Sequence, residues 1–269
     1  MIKALTIAGF DGSGGAGIQA DLKTFSALGC YGMCVLTALP VQNTQGVRGC
    51  YEIELKAIKE QLECIFDDIT PDAIKIGMLF NSDIIKLVAD FLSNNAKNIP
   101  IIVDPVMVAK SGDRLLLEEA VDSLKKYILP ISTIVTPNIP EAEDLTLKKI
   151  KTDDDMIDAA NDILNMGAKN VMLKGGHLEG ELSRDLFINK ESKEFLDALR
   201  IDTKNTHGTG CTLSAAICSY IAHGKTPLEA SKLGKEYLFN ALQAAKIDSV
   251  GKGHGPVHHF YEAWKHLSI

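Results

Sequence analysis

Short apolar runs alternate with amphipathic stretches along most of the chain. Residues 3–9 are mostly apolar and end at Gly9, the mark of a short buried strand. A glycine-rich loop from Phe10 to Gly17 follows. It opens a helical pattern over 18–28, with Ile18, Leu22, Phe25 and Leu28 at helical spacing and Gly29 as the stop. The same reading predicts strands at 33–39, 73–78, 99–103, 133–135 and 170–174, and a strand pair at 185–188 and 194–201. Helices are predicted at 55–69, 82–92, 116–127, 140–147, 153–166, 210–223, 227–246 and 256–267, with Ser82 as the cap of the 82–92 helix. Residues 40–44 read as a polar strand end or loop.

The strands are continuous apolar runs rather than alternating ones, so both of their faces need cover. With helices between them, they predict an α/β fold: a central, mainly parallel sheet between two helical layers. No repeat, low-complexity linker or change of composition divides the chain, so residues 1–269 are read as one domain.

Composition then removes several function classes. A formal net charge of −7 argues against a nucleic-acid backbone as partner. No apolar run is long enough for a membrane span, and the N-terminal run is too short for a secretory signal, which predicts a cytoplasmic protein. The six cysteines include no C-x-x-C pair, so neither a zinc site nor a disulfide framework is expected.

Ligands of parallel sheets bind at the carboxyl ends of the strands. Polar groups collect there: Asp11 and the glycine loop, Gln42 and Asn43, Asp104, Asn138 and Glu141, then Lys174 and His177. The stretch Thr206-His207-Gly208-Thr209-Gly210-Cys211-Thr212 adds a glycine-bracketed turn feeding a helix. Such a turn leaves helix N–H groups open to an anion, most often phosphate. Cys211 stands at its head, where a helix N-terminus lowers a thiol's pKa and prepares a proton acceptor; the alternative is a small buried core residue.

Gly12 to Gly17 match the dinucleotide fingerprint G-x-G-x-x-G, but the next strand lacks the acid that binds ribose. A lysine after Gly17, as in a P-loop, is also missing. Asp104 suits a metal or a hydroxyl, or else a turn. Asn138 and Glu141, three apart, suit a partly hydrated Mg²⁺ with substrate phosphates, or else a capping box. Lys174 is placed to neutralise phosphate, and Met78, Val106 and Met107 to wall a flat heteroaromatic ring. His177 and His207 are acid–base or structural. Phosphoryl transfer uses an anion cradle, Mg²⁺, a cation and a proton acceptor together.

These residues carry a family resemblance. The chain resembles the hydroxymethylpyrimidine kinase/phosphomethylpyrimidine kinase family of thiamine biosynthesis, of the ribokinase-like three-layer α/β/α fold. The resemblance runs end to end, through Gly14-Gly15-Ala16-Gly17-Ile18-Gln19-Ala20-Asp21, Gln42-Asn43-Thr44, Lys75-Ile76-Gly77-Met78, Asp104-Pro105-Val106-Met107, Thr136-Pro137-Asn138-Ile139-Pro140-Glu141, Lys174-Gly175-Gly176-His177, the 206–216 turn and Gly253-His254-Gly255-Pro256-Val257.

It implies ATP-dependent phosphorylation of 4-amino-5-hydroxymethyl-2-methylpyrimidine and then of its monophosphate, with Mg²⁺, in a homodimer. Cys211 would be the general base, with the turn of Gly208 and Gly210 as the anion hole. Gln42 would read the aminopyrimidine edge, and Asp21, Gly9, Met78 and Val106 would complete the substrate site. Lys174, Asn138, Thr209 and His207 would contact the nucleotide, and Asp104 and Glu141 the metal. Phe10, Gly12 and Pro40 depart from the family's usual residues beside the substrate pocket. Pyridoxal or pyridoxine kinase is the alternative within the class.

Overall fold

The computed structural model describes residues 1–107, 120–176, 180–247 and 249–267. In chain order the elements are β1 (Ile2–Ala8), α1 (Gly17–Ala27), β2 (Cys30–Leu36), β3 (Ala38–Asn43), β4 (Gly46–Glu52), α2 (Leu55–Asp68), β5 (Ala73–Ile76), α3 (Ser82–Asn95), β6 (Ile101–Val103) and α4 (Ala120–Ser123). They continue as β7 (Ile134–Val135), α5 (Ile139–Thr146), α6 (Asp153–Asn165), β8 (Asn170–Leu173), β9 (Leu182–Asn189), β10 (Lys193–Leu199), α7 (Thr209–Ala222) and α8 (Pro227–Ala244). The main sheet has eight strands in the order β10-β9-β8-β7-β6-β5-β1-β2. Its pairs from β2 through β8 are parallel, while β9 and β10 run antiparallel at one edge.

Strand side chains alternate between two faces, and here both faces are apolar. Leu5, Ile7, Ile74, Ile76, Ile101, Val103, Val135, Val171 and Leu173 enter a core with α2, α3, α5 and α6. Their neighbours Ala4, Ala73, Ile102, Ile134 and Met172 enter a second core with α1, α7 and α8. Some positions on this second face are polar though buried. Thr6 and Lys75 lie side by side on β1 and β5, both fully buried.

Several expectations need correction. The predicted strand 33–39 begins at Cys30 and is interrupted at Thr37, after which β3 leaves the main sheet and pairs only with β4. The strand β4 escaped prediction because Gly46 and Gly49 interrupt any alternation. Asn81, not Ser82, caps α3: its side chain accepts the N–H groups of Asp83 and Ile84. The C-terminal stretch is not a helix but turns with a single short 3₁₀ segment, Ala263–His266. The start of the predicted helix 116–127 and His177 lie outside the described residues. Among the described residues, no helix is long and apolar enough to cross a membrane.

Candidate active site

A cleft of about 550 Å³ runs along the carboxyl ends of β1, β5, β6, β7 and β8. Of the residues expected at a site, Gly9, Gln42, Met78, Val106, Asp104, Asn138, Glu141, Lys174, His207, Gly208, Thr209, Gly210 and Cys211 all line it. Asp21 does not.

The turn into α7 is built by close backbone approach. Gly208 has φ +74°, and a Cβ there would overlap the Gly15 carbonyl oxygen of the glycine loop. No side chain caps α7, so N–H groups of its first turn remain available to a ligand. Behind the turn, Leu213, Ala215, Ile217 and Cys218 anchor the helix in the core.

Opposite the turn is a cluster of charges. Lys174 Nζ donates to Asp104 Oδ1 at 2.9 Å, with Asp104 only 2% exposed. A Cβ on Gly210 would lie 3.3 Å from Asp104 Oδ2 and 3.4 Å from Lys174 Nζ, so glycine leaves these groups room. Burial opposes the Lys174 charge, but Asp104 and Glu141 outweigh it and raise its pKa. Glu141 and Asn138 form a capping box: Glu141 Oε2 accepts the Asn138 N–H at 2.8 Å, and Asn138 Oδ1 accepts the Glu141 N–H at 2.9 Å. The box and the site are compatible, because the same carboxylate faces the cleft. Burial raises the Glu141 pKa to about 7 despite Lys174 and backbone N–H donors from Asn138 and Met107.

This donor set bears on Mg²⁺. No three ligating side chains among the described residues come together to hold a metal by themselves. Two buried carboxylates facing a cleft, one of them poorly solvated, suit an ion that arrives with phosphates and keeps some of its water.

Cys211 corrects the sequence reading. It is half-buried in the cleft wall, and burial pushes its thiol up to about 11, although the Lys75 ammonium and a hydrogen bond from the Gly17 N–H favour the thiolate. The helix terminus does not win against desolvation here.

Beneath Cys211 lies an ion pair. Lys75 Nζ donates to both Asp21 oxygens, at 3.0 and 2.8 Å, and the Thr6 hydroxyl donates to Asp21 Oδ2 at 2.6 Å. Burial opposes the Lys75 charge, yet Asp21, Cys211 and Asp104 hold its pKa above the ordinary lysine value. Asp21, expected beside the substrate, is therefore fully buried and holds Lys75, which does reach the cleft. The Lys75 ammonium was missed by sequence reading; a lysine inside the apolar run 73–78 was its signal.

The glycine loop is not open for a pyrophosphate. Asp11 fills it, accepting the N–H groups of Ser13, Gly15 and Ala16. His207 Nε2 lies 2.8 Å from Asp11 Oδ2. Burial would raise the Asp11 pKa, but hydrogen bonds from His207, Ser13 and Ala16 bring it down to about 2. This self-capping explains a G-x-G-x-x-G pattern without its ribose-binding acid. His207 is thereby committed to Asp11 while one side of it lines the cleft.

At one end of the cleft, Gly9, Pro40, Gln42, Met78 and Val106 form a slot with an amide at its rim. The β3–β4 register shifts beside it, where Val41 pairs with Gly49 but Gln42 with Val47, and the Gln42 Nε2 donates to the Phe10 carbonyl at 3.3 Å. At the other end, Leu199, Ile201, Leu238, Phe239 and Leu242 provide an apolar wall that sequence reading did not identify. Nothing in their local pattern separates them from ordinary core residues.

Known sequences and structures resemble this chain along nearly its whole length. The phosphomethylpyrimidine kinase family profile matches residues 11–258. A hydroxymethylpyrimidine/phosphomethylpyrimidine kinase of Rhizobium meliloti is 47% identical over 97% of this chain and 98% of its own. The crystal structure of a phosphomethylpyrimidine kinase from Clostridium difficile 630 is 47% identical, with a TM-score of 0.80, over 90% of this chain and 100% of that one. A Staphylococcus aureus pyridoxal kinase in complex with AMP-PCP and pyridoxal is 36% identical, with a TM-score of 0.88, over 98% and 95%. Matches that span nearly the whole chain, on a fold whose charged cleft sits at the expected sheet edge, show that the chain belongs to the phosphomethylpyrimidine kinase family.

Proposed function

We propose that the protein transfers the γ-phosphoryl group of ATP to the hydroxymethyl oxygen of 4-amino-5-hydroxymethyl-2-methylpyrimidine, and then a second phosphoryl group to the monophosphate. The observation that carries this reading is a single cleft that joins the Gln42 slot, the uncapped first turn of α7 with Cys211, and the Lys174–Asp104–Glu141 cluster. Identities of 40–47% to pyrimidine kinases, against 36–40% to pyridoxal kinases, favour the pyrimidine.

The residues divide the work. The Gln42 amide offers a donor and an acceptor to the aminopyrimidine edge, and Met78 and Val106 flank the ring. The apolar wall of Leu199, Phe239 and Leu242 takes the adenine. Lys174 offsets phosphate charge, and N–H groups of the α7 turn face the transferring phosphoryl group, where fixed donors stabilise developing charge. In the first transfer, the Cys211 thiolate takes the hydroxymethyl proton as the oxygen bonds to phosphorus and the bond to ADP breaks. With the thiol near 11, the thiolate is a minority form at neutral pH. Asp104 and Glu141 would hold Mg²⁺, which when bound neutralises phosphate charge. Mass spectrometry of the purified protein with ATP, Mg²⁺ and the pyrimidine alcohol tests this reading. Mono- and then diphosphate are expected; an unphosphorylated pyrimidine would refute it.

A further inference from the structure

The Gly253-His254-Gly255-Pro256-Val257 block takes no part in the chemistry above, yet its path is specific. The segment 251–257 runs between the tip of the β3–β4 hairpin and the turn before α7. On the hairpin side, the Thr44 carbonyl accepts the His254 N–H at 2.8 Å, and the Thr44 hydroxyl accepts the Gly253 N–H at 3.2 Å. On the other side, the His207 N–H donates to the Gly255 carbonyl at 2.9 Å, and His207 and Pro256 form a parallel bridge. The glycines serve this fit: a Cβ on Gly251 or Gly253 would overlap Thr44, and one on Gly255 would overlap Asn205. Past the segment, Val257 is buried and the His259 ring lies 3.1 Å from the hydroxyl of Thr212, the residue after Cys211.

The hairpin has reason to need a tie. It pairs with no strand of the main sheet, and a lone two-stranded hairpin is marginal in water. Its outer face leaves Leu39, Val41 and Tyr51 exposed. Gln42, the amide at the substrate slot, stands near the end of β3, two residues before Thr44, the first residue of the hairpin turn. The tie therefore grips the hairpin at its turn, two residues from Gln42, while its other end grips the residue next to Gly208.

We propose that Thr44, clamped by the 251–257 segment, is a positioning residue that fixes Gln42 relative to the phosphoryl-transfer turn at 207–211. The inference rests on the roles given above to Gln42 and Cys211. On this reading the glycine-rich C-terminal block keeps the ring reader and the phosphate cradle at one separation, which matters because a misplacement of about 1 Å can cost roughly 10²-fold in rate.

The test uses the full chain with Thr44→Val, Thr44→Ser and Gly253→Ala. Thr44→Val removes the hydroxyl acceptor; the expected loss is about fivefold to tenfold in pyrimidine affinity, the span of one hydrogen bond. Gly253→Ala drives the segment off the hairpin, and its expected loss is larger and includes kcat. In the two Thr44 variants AMP-PCP affinity stays within about twofold of the wild-type value, and Thr44→Ser keeps pyrimidine binding close to that of the parent. Amide hydrogen exchange gives a readout that does not depend on which ring is the substrate: Gly253→Ala should speed exchange at 42–44 and at 206–209 together. Unchanged exchange at 206–209 in Gly253→Ala, or equal losses of nucleotide and pyrimidine affinity in Thr44→Val, would overturn the proposal. A wild-type protein that binds no pyrimidine would refute the functional reading instead, and the exchange result would still decide the positioning role.

Discussion

Cys211→Ala should separate the two phosphoryl transfers. In the first, the acceptor is an alcohol whose proton must leave. In the second, the acceptor is a phosphate monoester, whose second pKa of about 6 leaves it ionised at neutral pH. A base is needed only once. The buried thiol stands at about 11, so at pH 7 about one molecule in 10⁴ carries the thiolate. The first transfer should therefore quicken about tenfold per pH unit between 7 and 10, while the second stays nearly flat. Loss of the base should slow the first transfer by roughly 10²–10⁴, and the second by at least about tenfold less, since there the thiol is only part of the wall. Single-turnover rapid quench, with the alcohol and its monophosphate as separate substrates, isolates each transfer from ADP release. Equal losses in both steps, or a first transfer indifferent to pH, would refute the assignment of Cys211 as base.

Other consequences follow from the charges around it. Lys75→Met strands the Asp21 carboxylate in the core and should destabilise the fold by about 3–5 kcal/mol. Adding Asp21→Leu should recover most of that stability in urea unfolding; a double variant as unstable as the single one would show that the pair is not the cause. The Glu141 carboxyl, raised to about 7 by burial, costs stability as the pH rises from its unfolded value through 7. Glu141→Gln should thus be more stable than the parent at pH 8 by roughly 1–3 kcal/mol, with the gap closing at pH 5, and a gap that ignores pH would contradict this. Asp11, lowered to about 2, contributes about 2 kcal/mol that is complete above pH 4 and fades as the pH falls through 2. Asp11→Asn should flatten acid unfolding in that window, and an unchanged acid limb would rule Asp11 out as its source.

The parallel sheet and most of its helices are legible in the sequence because its strands are apolar on both faces, a pattern that local spacing reports directly. The same is true of the α7 turn, since glycines on either side of a helix start leave few alternatives. What was not legible depends on partners far along the chain. The glycine loop resembles a dinucleotide site until Asp11 is seen filling it. Cys211 reads as an acidified thiol until burial is counted against the helix terminus. Asp21 reads as a substrate contact, but Lys75, 54 positions away, draws it into the core. The strand β4 and the turns near the C-terminus are held by cross-chain contacts to β3 and Thr44, which no local pattern encodes.

The most direct test of the proposed activity is the number of ADP molecules released per substrate molecule, with ATP and Mg²⁺, for the pyrimidine alcohol and for pyridoxal in parallel. Two successive transfers in one cleft require two ADP for each pyrimidine. One ADP from pyridoxal, with little from the pyrimidine, would contradict that activity.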